Sequence, residues 1–128
     1  MDPTPIPRWQ RVTGWVLTAL PAFVLLSSAA NVVLMTPDVA KGFADNGFPE
    51  STGPVIGACA LVSGLLYLIP QTAVLGAVLV TGYLGGAVAT HVRVGDGKAV
   101  VPVVMGVIAW LGLYLRDRRV RALMPLRT

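Results

Sequence analysis

Between Ser51 and Val92 the chain carries no Lys, Arg, Asp or Glu. A helix that crosses a hydrocarbon core of about 30 Å needs about 20 apolar residues, each rising about 1.5 Å. The charge-free run is therefore long enough to cross a bilayer twice. It is interrupted at Ile69-Pro70-Gln71-Thr72, where a proline and an amide break the apolar pattern. Two helices joined by a very tight turn are the simplest fold for such a run.

Composition agrees with that reading. At 128 residues the chain is one domain, and it is 55% hydrophobic and 12% charged with a mean hydropathy of +0.72. A soluble domain carries about 25% charged residues. The net charge of +4 does not argue for nucleic acid, because the basic residues sit at the ends of apolar segments. Arg116, Arg118, Arg119, Arg121 and Arg127 form a basic stop after the last of them, which suits anionic headgroups and cytoplasmic retention. Cys59 is the only cysteine, so no intrachain disulfide can form, and it reads as a small packing residue.

Residues 1–11 are expected to be a cytoplasmic tail whose proline-rich start, Met1 to Pro7, lacks regular structure. The apolar stretch after Arg11 is too long for a signal-peptide core and has no convincing small-x-small cleavage site, so it reads as a retained helix. The first span covers about 12–35, with Pro21 inside it as a kink that neighbouring helices would tolerate. Thr36-Pro37-Asp38 then has the form of a new helix start, with a hydroxyl N-cap, a proline at the first helical position and an acid in the first turn. Val39 and Phe43 share one face of this segment, and Asn46-Gly47 with Pro49 ends it. Too short and polar to span, it fits an amphipathic helix at the membrane surface. Further spans cover about 53–69, 72–92 and 99–115, followed by a basic cytoplasmic tail over 116–128. The expected architecture is all-α: a four-helix transmembrane bundle with a short amphipathic segment between helices 1 and 2.

Charge counting orients it. Arg8, Arg11 and the five C-terminal arginines lie on one side, and only Lys41, Arg93 and Lys98 on the other. Seven against three places both termini in the cytoplasm. Trp9, Trp15, Tyr67, Trp110 and Tyr114 fall toward the same boundary, where amphipathic rings settle. Small residues suggest helix contacts: Gly82 and Gly86 with Gly85 and Ala89 in the third span, and Gly53, Gly57, Ala60 and Gly64 in the second. Such spacing lets backbones approach closely, either within one bundle or across a homodimer seam.

Candidate chemistry is sparse, and no cluster forms a recognisable catalytic site. His91 and Arg93 end the third span on the side of Asp38, Asp45 and Glu50. As an imidazole, His91 would suit a proton, a headgroup or a small polar ligand; the alternative is that the pair are interfacial anchors. With the loop from Phe43 to Pro49, including Phe48, they form the candidate ligand-binding mouth. One histidine makes no metal site. The spans hold no carboxylate, which excludes an Asp or Glu proton relay through them. Asn31 and Gln71 are each expected to bond a neighbouring helix.

The segment Leu68-Ile69-Pro70-Gln71-Thr72-Ala73-Val74-Leu75-Gly76-Ala77, followed by Thr81-Gly82-Tyr83-Leu84-Gly85-Gly86-Ala87-Val88-Ala89-Thr90-His91-Val92-Arg93, closely resembles the DoxX-like family of small four-helix membrane proteins. Arg11 with Gly14-Trp15, Gly47-Phe48-Pro49, and Leu113-Tyr114-Leu115-Arg116-Asp117 extend the resemblance over nearly the whole chain. It implies a four-helix bundle in a bacterial cytoplasmic membrane. Founding members of the broader group are small subunits of a thiosulfate:quinone oxidoreductase, so quinone enters as a cofactor by analogy alone. The chain departs from the family pattern at Ala60, where a glutamate is frequent, at Gln71, where an arginine follows the proline, and near Val32, where a lysine is common. Three functions stay open: a non-catalytic membrane protein binding a lipid, quinone or membrane partner; a small subunit of a quinone-linked oxidoreductase; and a transporter of a small apolar molecule.

The arginine asymmetry makes a direct prediction. A reporter fused after Arg127 is cytoplasmic, and one inserted between Lys41 and Glu50 is extracytoplasmic; a periplasmic C-terminus would reverse the orientation.

Overall fold

The computed structural model describes residues 4–124, so Met1 to Pro3 and Arg127, both named above, lie outside the described residues. Among the described residues the chain forms six helices and no strand: α1 (Arg8–Leu34), α2 (Pro37–Asn46), α3 (Gly53–Leu68), α4 (Ala73–Val94), α5 (Val100–Arg116) and α6 (Arg118–Leu123). Short 3-10 turns, Glu50–Thr52 and Pro70–Thr72, lead into α3 and α4. With those turns included, α1, α3 and α4 are long and apolar enough to cross a membrane, and α5 is a shorter apolar helix. The helix α1 starts at Arg8, earlier than expected from sequence, so the first arginines are helical. The basic tail is likewise helical over α6.

The polypeptide turns where its residues allow it. Met35 closes α1 in the left-handed region at φ 45°, with its N–H on the Val32 carbonyl and the Thr36 N–H on that of Asn31. A side chain there costs about 1–2 kcal/mol, and Pro37 then starts α2. Thr36 occupies the cap position, but its hydroxyl makes no cap hydrogen bond. Gly47, at φ 75°, closes α2 and returns the chain towards α3. At the far end Ile69 is extended, and the Thr72 hydroxyl donates to the Leu66 carbonyl at 2.8 Å, which tightens the turn at Pro70.

The four long helices form a ring in which α1 and α4 each pack against α3 and α5. The start of α1, α6 and the Pro70 turn lie at one end, and α2 with the α4–α5 loop at the other. The core is made mostly of small residues, including Ala22, Ala29, Ala60, Ala73, Ala77 and Ala109, around Tyr67, Leu25, Leu113 and Val80. Large apolar side chains point outward instead, with Phe23 70%, Val33 71% and Leu34 74% exposed. A soluble protein does not leave such a surface to water. In lipid the hydrophobic effect does not drive helices together, so small interior residues that allow close contact are the expected solution.

The closest backbone approaches are at the terminal end. A Cβ on Gly76 would overlap Tyr67 N and Cα and Leu66 C, so α3 and α4 touch main chain to main chain. A Cβ on Gly14 would lie 2.9 Å from the Gly112 carbonyl oxygen, and one on Gly112 would lie 2.9 Å from Thr18 Oγ1, which locks α1 to α5. In α3, Gly57 faces Val32, Val33 and the Ala29 carbonyl of α1, and Gly64 faces Leu25 and Leu26. The later α4 glycines make no such contact. Nothing lies within 4 Å of a Cβ built on Gly82, Gly85 or Gly86. Within one chain the Gly82/Gly86 pair is therefore not a helix seam, because α4 has already parted from α3 at that height.

Substitution separates the two sets of glycines. Gly76→Ala and Gly112→Ala should each lower the thermal midpoint in detergent, by about 1–3 kcal/mol of overpacking that backbone cannot relieve. Gly82→Ala and Gly86→Ala should be neutral or stabilising, because alanine favours the helix by about 1 kcal/mol. Equal losses at all four positions would contradict this packing.

Candidate functional site

The two ends of the bundle differ in how their polar groups are used. At the terminal end Arg116 folds back from the C-terminus of α5 into the bundle. Its Nε donates to Thr18 Oγ1 at 2.9 Å, and an Nη2 hydrogen goes to the Tyr67 carbonyl at 3.1 Å. The guanidinium carbon lies 4.2 Å from the Trp15 ring centroid and 5.5 Å from that of Tyr67, in cation–π range. Thr18 in turn donates to the Gly14 carbonyl at 2.8 Å. The Tyr67 hydroxyl has one hydrogen, and its shorter contact is to the Ala109 carbonyl, at 2.6 Å against 3.4 Å to Thr18 Oγ1. Arg121 then covers the end of α5, donating to the Tyr114 and Leu115 carbonyls, and reaches Gln10 Oε1 of α1 at 2.6 Å. These residues join α1, α3, α5 and α6, and their polar groups are engaged with one another.

Sequence alone does not reveal this cluster, because it assigns Arg116 to a basic tail. Its components were visible as Gly14-Trp15 and Leu113-Tyr114-Leu115-Arg116, segments more than ninety positions apart that the fold brings into contact. The expected interhelical bonds of Asn31 and Gln71 are not made among the described residues; both side chains are exposed. Thr18, Tyr67 and Arg116 carry that role instead.

At the other end the helices leave room. Having met at Gly76, α3 and α4 separate and leave a cleft of about 1170 Å³. Its walls are Val55, Ile56, Cys59 and Val62 of α3 and Val78, Leu79, Gly82 and Gly86 of α4, with Ser28 and Val32 of α1 behind. The helix α2 roofs it through Val39, Phe43 and Asn46, with Phe48 just beyond. From Val78 to His91 the α4 wall is about 20 Å long. The open glycines are therefore a groove floor, where any larger side chain would occupy the space.

Of the four candidate ligand residues, Phe43, Phe48 and His91 line this cleft, and Arg93 does not. Arg93 holds the roof: its guanidinium donates to the Asn46 carbonyl and lies 5.7 Å from the Phe48 ring centroid, while Phe48 and Phe43 pack at 6.1 Å between centroids. His91 Nδ1 lies 2.7 Å from Asp96 Oδ2. Asp96 Oδ1 also accepts the Lys98 N–H at 2.9 Å. That backbone N–H, followed by the His91 contact, holds the Asp96 carboxyl below the usual aspartate range. A carboxylate only accepts, so Nδ1 carries the hydrogen. His91 and Arg93 thus each have a partner within the chain.

Several polar groups of the residues around the cleft lack hydrogen-bond partners among the described residues. Asn46 Nδ2 donates to the Gly42 carbonyl at 2.6 Å, but Asn46 Oδ1 is buried with no hydrogen bond. Ser28, Ser63 and Tyr83 line the cleft, and their hydroxyls make no hydrogen bond among the described residues. An unmet buried acceptor costs about 1–3 kcal/mol. The contrast is with a second groove of about 690 Å³ between α4 and α5, where Trp110 Nε1 donates to Thr81 Oγ1 at 2.7 Å and Thr81 donates to the Ala77 carbonyl at 2.7 Å. No three His, Cys, Asp or Glu side chains among the described residues are grouped to hold a metal.

No curated protein and no solved structure matches the chain. A family model does, over residues 16–112, which takes in α2, α3 and α4, most of α1 and α5, and the residues that line the cleft. The apolar outer surface, the helices of spanning length and this match lead to one conclusion: the chain is a membrane protein that belongs to the DoxX-like family.

Proposed function

We propose that this protein acts without catalysing a reaction, by holding a lipid- or quinone-like molecule in the cleft between α3 and α4 beneath α2. The observation that carries this reading is the parting of the two helices above Gly76, which leaves Gly82 and Gly86 facing open space. A groove of this length, apolar along its walls with a few polar groups at one end, suits an amphiphile. Phe43, Phe48 and His91 would contact the bound molecule, and Arg93 would keep the roof in place. With both termini cytoplasmic, the roofed end faces outward and the tail of the ligand points toward the bilayer centre. A role as a small subunit of a quinone-linked oxidoreductase would use the same cleft, but among the described residues its titratable lining side chains are His91, Cys59 and Tyr83.

Filling the groove tests the proposal. Gly82→Leu with Gly86→Leu places two branched side chains where no atom lies within 4 Å. The purified variant should melt close to the wild type in mild detergent yet lose the lipids or quinones that mass spectrometry finds in wild-type extracts. A folded variant that retains the same molecules in the same amounts would place binding elsewhere.

A further inference from the structure

Resting on the cleft as a binding site, we infer that it also reads the ligand's tail: Ser28, Ser63 and Tyr83 bind a carbonyl oxygen set partway along it. The three hydroxyls come from three helices, α1, α3 and α4. Helix contacts bring them close to one depth. Gly64 faces Leu26, so Ser63 and Ser28, one and two residues nearer the roof, differ in height by about 1.5 Å. Gly76 touches Tyr67; Tyr83 is seven residues above that contact and Ser63 four, so Tyr83 starts about 4.5 Å higher. Its side chain leans back toward the start of α4, and so down toward the serines.

These hydroxyls are available. Thr18, Ser27, Thr81 and Thr90 each donate to a carbonyl four residues back in their own helix, at 2.7–2.9 Å. Ser28, Ser63 and Tyr83 make no hydrogen bond among the described residues, although Ser63 is only 5% exposed. Their oxygens are also reachable, because Asn46 Oδ1 is the one unpartnered side-chain atom fully occluded among the described residues. A methylene laid against such hydroxyls leaves them unmet. A carbonyl oxygen accepts two hydrogens, which Tyr83 and one serine supply. A charged group would go unanswered: no Lys, Arg, Asp or Glu lines the cleft among the described residues, and Asp96 holds His91 Nδ1. His91, at the mouth, lies eight residues beyond Tyr83, about 12 Å higher. At about 1.25 Å per extended carbon–carbon bond, the carbonyl belongs about a dozen carbons below the headgroup.

The test uses the full chain in mild detergent with radiolabelled methyl 12-oxooctadecanoate, competed by the same ester, by methyl octadecanoate and by methyl 6-oxooctadecanoate. The second lacks the tail oxygen, and the third carries it too near the headgroup. The 12-oxo ester should compete about ten-fold better than either, the worth of one buried hydrogen bond otherwise left unmade. In Tyr83→Phe with Ser63→Ala, where each change removes only an oxygen, that advantage should vanish while methyl octadecanoate still competes. Equal competition by the 12-oxo and plain esters in the wild type would mean that water meets the hydroxyls, and would overturn the inference while leaving the cleft as a site. Preference for the 6-oxo ester, or a 12-oxo advantage undiminished in the double variant, would overturn it in the same way. Saturable binding of none of the three would overturn the inference and the cleft reading together.

Discussion

Backbone contact at the terminal end is the constraint on which the rest of the bundle depends. Gly76 lies against the Tyr67 main chain, and Gly14 and Gly112 lie against each other. In a bilayer such proximity supplies the van der Waals contact that exclusion of water supplies in a soluble core. Arg116 adds direction. Its bonds to Thr18 and the Tyr67 carbonyl, and its stacking on Trp15, engage α1, α3 and α5 at once. No carboxylate is paired with it among the described residues, and the guanidinium is held by hydroxyl, carbonyl and ring faces instead. Its position at the end of α5, partly exposed, lets the remaining hydrogens reach the headgroup region.

A bundle clamped at one end can open at the other. Helices that touch at Gly76 and diverge leave a wedge between them, and glycine at Gly82 and Gly86 keeps that wedge empty rather than filling it with α4's own side chains. The helix α2 is placed to cover it because Gly47 reverses the chain and Phe43 is buried beneath. Arg93 ties that roof to α4, and the Asp96–Lys98 turn holds His91 at the rim. The two arginines thus play parallel structural parts at opposite ends, one closing the bundle and one fastening its cover.

Much of this was legible in the sequence. The charge-free run, the Pro70 turn and the Pro37 helix start are local signals, and each element they predict is present within a few residues. The family resemblance rested on segments that are now seen to form the turn, the groove floor and the clamp. What the sequence could not convey is which way a glycine faces. Gly82 and Gly86 have the spacing of a packing seam, and Gly76 has no such partner, yet Gly76 makes the contact and the pair does not. Spacing reports that a face is small, and only the neighbouring helix decides whether it is filled. Arg116 was misplaced for a similar reason: a cation at a helix end reads as solvated until Trp15 and Thr18 are brought to it from the other end of the chain. Arg93 lies over Phe48, and its hydrogen-bond partner is a main-chain carbonyl, which no pattern of side chains announces. Asn46 was read only as the end of a helix, and its buried oxygen depends on the roof above the cleft.

The central claim is an open cleft above a closed clamp, and Cys59 reports on it, because the chain's single thiol lines the α3 wall opposite the glycine floor. The direct measurement is the rate at which an apolar, membrane-dissolved maleimide labels Cys59 in vesicles, in the wild type and in Gly86→Phe. An open cleft predicts rapid labelling that falls several-fold when the phenyl ring fills the groove, with folding unchanged. Identical rates in the two proteins would show that Cys59 is reached without passing the cleft, or that no cleft exists there, and would contradict the account.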